Sequence, residues 1–110
     1  MKIPSDSILE IDKNKIQNYL LNPNHPDGKA KADFFIANGI NSNTAKEFEN
    51  LLKHQATTIE ITKELITLFG KKYIFESRIE FPNGKLHLIR SVWITGQTEK
   101  VIKFVTAYKI

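Results

Sequence analysis

The turn Pro82-Asn83-Gly84-Lys85 constrains this chain more than any other feature. Asn-Gly at its centre is the usual signature of a type I′ hairpin with a two-residue loop. Such a loop predicts the cross-strand pairs Phe81–Leu86, Ile79–Leu88, Ser77–Arg90, Phe75–Val92 and Tyr73–Ile94. Strand side chains alternate between faces, so these pairs share one face. All are apolar except the Ser77–Arg90 rung. A guanidinium stays charged at ordinary pH and is rarely buried without a partner. Arg90 is therefore expected either to pair with a carboxylate under a helix or to line a cleft that receives an anion.

A third strand, Val101 to Tyr108, follows the segment Gly96-Gln97-Thr98-Glu99-Lys100. Read as a five-residue loop, that segment sets Ile102 opposite Ile94, Phe104 opposite Val92 and Thr106 opposite Arg90. One residue fewer would turn the whole strand over, because the side-chain period is two. Both faces of this meander are partly apolar. If the helices cover the Trp93 face, the tryptophan is core and Arg90 lines the open face with Ser77 and Thr106. If they cover the other face, Arg90 is buried or sits at the helix–sheet boundary.

The first seventy residues read as helices. Ser7 to Asp12 suits a short strand or an extended lead-in. Asp12 can cap a helix through Ile16, Tyr19 and Leu20 that stops at Leu21-Asn22-Pro23. The next seven residues, Asn22-Pro23-Asn24-His25-Pro26-Asp27-Gly28, hold two prolines and a glycine and form a loop. A second helix spans 29–38, with Ala32, Phe35 and Ile36 inward and Asn38-Gly39 as its stop. A third starts near Asn43 with Thr44 and Glu47 as a capping box, burying Ala45, Phe48, Leu51 and Leu52. Residues 57–62 alternate like a strand, and 63–69 read as a helical turn or two ending at Gly70. His87 is expected to face Glu80 across the hairpin, and His54 to be a surface group. Helices first and an antiparallel meander of three to four strands last make an α+β domain. The expected division is one domain over 1–110, helical over about 12–69 and meander over about 72–108.

Composition narrows the function classes. A chain of 110 residues fits one domain that buries a core without a staple. It has no cysteine, so it holds neither a disulfide nor a thiolate metal site, which suits a reducing cytoplasm. No apolar run approaches the roughly 18 residues of a membrane span, and the N-terminus lacks the apolar core of a signal peptide. The net charge of +4 is compatible with a polyanion. Glycine-rich phosphate loops, the metalloprotease histidine pair, the nucleophile elbow and the dinucleotide fingerprint are absent. Three widely spaced histidines do not suggest a metal site, and no cofactor is implied.

His25 stands apart. Pro23, Pro26 and Gly28 constrain its loop, and Lys29 and Lys31 open the next helix. Helix N-termini favour anions, and Gly28 allows close backbone approach. The segment reads either as a phosphate cradle beside a histidine or as a loop whose histidine caps a helix or bonds a carbonyl.

His25-Pro26-Asp27-Gly28-Lys29-Ala30-Lys31-Ala32 resembles the motif His-Pro-x-Gly-x-x-Lys-Ala of a small bacterial domain family of uncharacterised function. Tyr19-Leu20-Leu21-Asn22, Phe35, Gly39 and Gly70-Lys71-Lys72-Tyr73 agree with it in order and spacing. So do Ile89-Arg90-Ser91-Val92-Trp93-Ile94, similar to Val-Arg-Ser-x-Trp-Ile, and Thr106-Ala107-Tyr108, similar to Thr/Ser-x-Tyr. The resemblance covers nearly the whole chain. It implies a toxin-like domain, found at the ends of polymorphic toxins or beside a small partner protein. The layout is also similar to the barnase–EndoU–colicin–RelE group of metal-independent ribonucleases. The chain departs from the family between Ala56 and Phe69, which is richer in isoleucine and leucine; a partner surface could be local to this protein.

A ribonuclease of that kind needs a base for the 2′-hydroxyl, cations for the phosphate and an acid for the leaving oxygen. The resemblance and the residue chemistry nominate His25 as acid/base and Lys31 and Arg90 as phosphate-stabilising groups. Thr106 and Tyr108 would be hydroxyl donors. Gly28, Lys29, Ser91 and Trp93 would contact substrate, with Trp93 stacking on a base for about 1–3 kcal/mol. RNA and a small inhibitor protein are the partners expected, with the cytoplasm as site of action. The competing reading is a non-catalytic interaction domain of a toxin–antitoxin-like or mobile-element system, in which the same polar residues lock the proline loop to the sheet.

Overall fold

The computed structural model describes residues 1–16, 24, 29–41, 43–96 and 100–110. Eight elements follow in order: β1 (Ile8–Glu10), α1 (Lys13–Lys15), α2 (Lys29–Ala37), α3 (Ala45–Thr58), β2 (Lys63–Thr67), β3 (Gly70–Glu80), β4 (Leu86–Thr95) and β5 (Val101–Lys109). The strands form one sheet in the order β1-β5-β4-β3-β2. Four are antiparallel neighbours, and β1 adds to β5 in parallel. The fold is α+β as expected, with the lead-in segment recruited as a fifth strand.

The hairpin at 82–84 departs from the expected type. Phe81 N–H donates to Lys85 O at 2.9 Å and Gly84 N–H to Phe81 O at 2.8 Å. Pro82 therefore sits second in a four-residue turn, and Gly84, with φ +82°, closes a three-residue loop. A two-residue loop would need Pro82 to donate an N–H that proline lacks. The pairing moves by one residue: Glu76 faces Arg90, Phe75 faces Ser91 and Tyr73 faces Trp93. His87 faces Ile79 rather than Glu80.

That shift sorts the side chains. Tyr73, Phe75, Ile79, Phe81, Ile89, Trp93, Ile102, Phe104 and Ala107 form the inner face, buried with Phe35, Phe48 and Leu52 of the helices. Burying a large apolar side chain of this kind contributes about 1.5–3 kcal/mol. The helices thus cover the Trp93 face. On α3, Phe48, Leu52, Gln55 and Ala56 are buried at helical spacing. On α2, Ala32 and Phe35 are buried, whereas Ile36, expected inward, is 44% exposed.

The helix ends explain further differences. Gly39, with φ +94°, donates to Ile36 O, and Ile40 donates to Phe35 O, so Asn38-Gly39 stops α2 as the sequence predicts. Asp12 caps α1 through Asn14 N–H; the expected continuation through Tyr19 and Leu20 lies outside the described residues. Thr44 precedes α3 without a side-chain cap: its hydroxyl accepts from Asn41 N–H and donates to Gly39 O, each at 2.9 Å, so the capping box is not formed. Residues 57–58 and 63–67 reverse the expectation. Thr57 and Thr58 stay helical by donating to Lys53 O and His54 O. Residues 63–67 form a strand because pairing with β3 outweighs their helical spacing.

Candidate functional site

A bulge on β5 builds the site. Trp93 pairs with Phe104, but Val92 pairs with Thr106, leaving Val105 as an extra residue. Without it, the register would set Thr106 opposite Ser91 and Tyr108 opposite Ile89, inside the core. With it, Tyr108 faces Arg90 and Thr106 faces Val92 on the outer face of the sheet. The expected pairs Ile94–Ile102, Val92–Phe104 and Arg90–Thr106 are replaced accordingly.

Five side chains meet there. Arg90 Nε donates to Glu76 Oε2, one terminal nitrogen is in ion-pair contact with the same oxygen, and the other terminal nitrogen donates to Tyr108 Oη at 3.2 Å. Lys31, on the first turn of α2, reaches Thr106 Oγ1 at 3.2 Å. Its ammonium lies 5.4 Å from the centre of the Tyr108 ring, and the guanidinium carbon of Arg90 lies 5.6 Å from the same centre. Two cations thus lie within cation–π range of one phenol. Hydrogen bonds from Arg90 to Tyr108, and then to Glu76, hold the guanidinium above its ordinary pKa. Arg90 is one-third exposed, so the pair is not sealed from water.

The structure therefore brings together Lys31, Arg90, Thr106 and Tyr108. His25 and Gly28 lie outside the described residues. Lys29 turns instead to Asp33, 2.9 Å away one helical turn on, as an exposed i,i+4 pair. Ser91 and Trp93, expected to touch substrate, are fully buried. Trp93 Nε1 donates to Ser91 Oγ at 3.0 Å, and Ser91 Oγ donates to Gln55 Oε1 at 2.6 Å. Gln55 Nε2 in turn donates to Ser77 Oγ and Ile89 O, each at 3.0 Å. The tryptophan cannot stack on a base, because the helices occupy its face.

Two residues escaped the sequence reading. Glu76 was hidden by the register, although the missing N–H of Pro82 is a signal that would have revealed it. Gln55 reads as a polar interruption of an amphipathic helix, and only the two serines it meets explain it. A second polar cluster is structural: Asn83 Nδ2 donates to Asn38 Oδ1, and His87 Nε2 lies 2.9 Å from the same oxygen, wedged against the edges of Phe34 and Phe81. His54 is exposed, as expected. A cleft of about 590 Å³ lined by Glu10, Asp12, Lys15, Lys53 and Lys103 shares no residue with the Arg90 cluster. Among the described residues no group of three or more His, Asp or Glu is placed to hold a metal ion. Nor is any described helix long and apolar enough to cross a membrane.

The family profile described as Domain of unknown function (DUF6883) matches residues 2–110. The chain belongs to this family. No curated protein matches the DUF6883 chain. Among solved structures its fold is similar to a chain in a contact-dependent growth inhibition toxin–immunity protein complex from Klebsiella pneumoniae 342. The two share 16% identity with a TM-score of 0.73, over 91% of this chain and 98% of that one. At that identity the likeness is one of fold.

Proposed function

We propose that this domain is the toxin of a toxin–immunity pair and cleaves RNA by metal-independent acid/base chemistry. One observation carries the reading: Lys31 and Arg90, from elements 59 residues apart in sequence (90 − 31), lie beside the same tyrosine on a solvent-reachable face. An ammonium and a guanidinium beside one phenol suit a phosphodiester. The structural neighbour comes from a complex of a toxin with its immunity protein, and a cationic cluster on a +4 chain suits the RNA-directed member of such a pair. In the reaction, the substrate's 2′-hydroxyl gives its proton to a base while its oxygen attacks phosphorus. The 5′-oxygen leaves with a proton from an acid, and a 2′,3′-cyclic phosphate remains. His25 is assigned to proton transfer, and Glu76, oriented by Arg90, is a second group for the same task. Lys31 and Arg90 stabilise the phosphate, and Tyr108 and Thr106 donate hydroxyl hydrogen bonds to it.

Incubating the purified chain with total RNA in excess chelator tests this. Cleavage is expected, and it should fall by about a hundredfold or more in His25→Ala and Arg90→Ala variants that keep wild-type circular dichroism. Growth arrest on expression, relieved by a small acidic protein encoded alongside, would accompany it. The competing reading, a non-catalytic interaction domain, draws on Glu76 already holding Arg90 by a hydrogen bond and an ion pair. Intact RNA, together with lowered melting temperatures in the same variants, would favour it.

A further inference from the structure

The turn joining β2 to β3 carries apolar side chains that its own geometry does not use. Thr67 pairs with Gly70, so Leu68 and Phe69 form a two-residue loop. The Thr67 hydroxyl accepts from Phe69 N–H at 3.1 Å and donates to Gly70 O at 2.8 Å. Gly70 supplies the left-handed φ of +132°, where an added Cβ would lie 2.2 Å from Thr95 O. Thr67 and Gly70 thus hold the turn, while Leu68 is 98% exposed and Phe69 82%. Ile66, beside them on β2, is 84% exposed. β2 is an edge of the sheet, and Lys63, Glu64, Leu65 and Ile66 all face solvent. An apolar open edge templates pairing, and proteins usually blunt such edges with charge, proline or a cover.

We infer that this edge is a docking surface for an acidic protein segment, which adds beside β2 as an extended strand and buries Ile66, Leu68 and Phe69. Three observations choose that occupant. First, the outer N–H and C=O groups of β2 have no strand beside them, since β2 ends the sheet. A strand supplies main-chain partners, whereas the interior of a bilayer has none to offer. Second, the surroundings are cationic. Lys63, Lys71 and Lys72 lie on β2 and β3. Lys100 lies at the same end of the sheet, because Thr95 closes β4 beside Gly70. Glu64 is already turned to Lys71 at 3.6 Å. Third, a second copy of the chain would bring these lysines together, whereas carboxylates on an incoming strand oppose them favourably. The inference stands apart from the ribonuclease reading, since no residue of the Arg90 cluster takes part.

The test is a selection on the full chain from a displayed library of random segments about ten residues long. Segments alternating apolar residues with Asp or Glu should be enriched. Their affinity should fall about tenfold or more in Ile66→Thr/Leu68→Ser/Phe69→Ser, and also as salt is raised. Leu68→Ser alone, at a side chain turned to solvent, keeps the test sound should the triple variant unfold. The inference is overturned if no segment is enriched, or if the enriched segments bind the variants as tightly as wild type. Binding to phosphatidylserine vesicles that is lost in the variants, in the absence of any segment, would assign the turn to membranes instead. A dimer in sedimentation that the variants abolish would assign it to self-association.

Discussion

Residues 90 to 93 run Arg, Ser, Val, Trp, and consecutive side chains face opposite sides of the sheet. On the inner side Trp93, Ser91, Gln55 and Ser77 pass hydrogen bonds from one to the next until each polar group is used. On the outer side Arg90 meets Glu76 and Tyr108, with Lys31 arriving from a helix, and the cluster stays open to water. Polar residues one position apart therefore do different work. The inner set lets helix α3 sit on the strands without an orphaned group. The outer set keeps its charges within reach of a ligand. Facing direction, rather than residue type, separates the sealed set from the open one here.

Four measurements would break or sharpen that contrast. Trp93→Ala should cost the most stability, about 3–5 kcal/mol in urea denaturation, because it empties a fully buried site. A loss under about 1 kcal/mol would mean that the inner face is not the main core. Gln55→Met keeps the volume but strands Ser77, Ser91 and the Ile89 carbonyl, and should cost about 2–3 kcal/mol by the same method. Tyr108→Phe keeps the ring and removes the hydroxyl. It should change stability by less than about 0.5 kcal/mol while lowering RNA cleavage about tenfold. Equal damage to both quantities would erase the distinction between the faces. The smallest effect concerns pH. The hydrogen bonds raise the pKa of Arg90, and a raised cation contributes fully below its unfolded value and loses that contribution only as pH climbs through the folded one. Both values lie above working buffers, so the stability difference between wild type and Arg90→Gln should be flat from about pH 6 to 10. A slope in that window would mean that another group titrates with the pair.

Much of this architecture can be read along the chain. The hairpin, the stop at Asn38-Gly39 and the α+β order rest on local chemistry that each segment carries itself. The register is harder to read, because Asn83-Gly84 matches one loop type and Pro82 forbids it, and the missing N–H prevails over the dipeptide. Residues 57–58 and 63–67 are harder to read too, because threonines accept a helix end when their hydroxyls can bond the preceding turn, and a short strand follows whichever edge is free. Of the outer cluster, Lys31, Arg90, Thr106 and Tyr108 were legible as residue types, but Glu76 depended on the register. Ser91 and Trp93 read as ligand contacts or as core until the face that carries the helices is known, because the strand pattern is partly apolar on both faces.

The bulge at Val105 has a consequence for any comparison of this chain with its kin. Tyr108 stands beside Arg90 because Val105 leaves the ladder, so its placement depends on residue count and bulge together. A homologue of equal length that pairs there without a bulge would keep every lettered position of the site and still carry its phenol inward. One residue fewer at Val105 restores the outward phenol on a regular ladder, so a gap at that point is compatible with the cluster, whereas a filled position needs the bulge to have it.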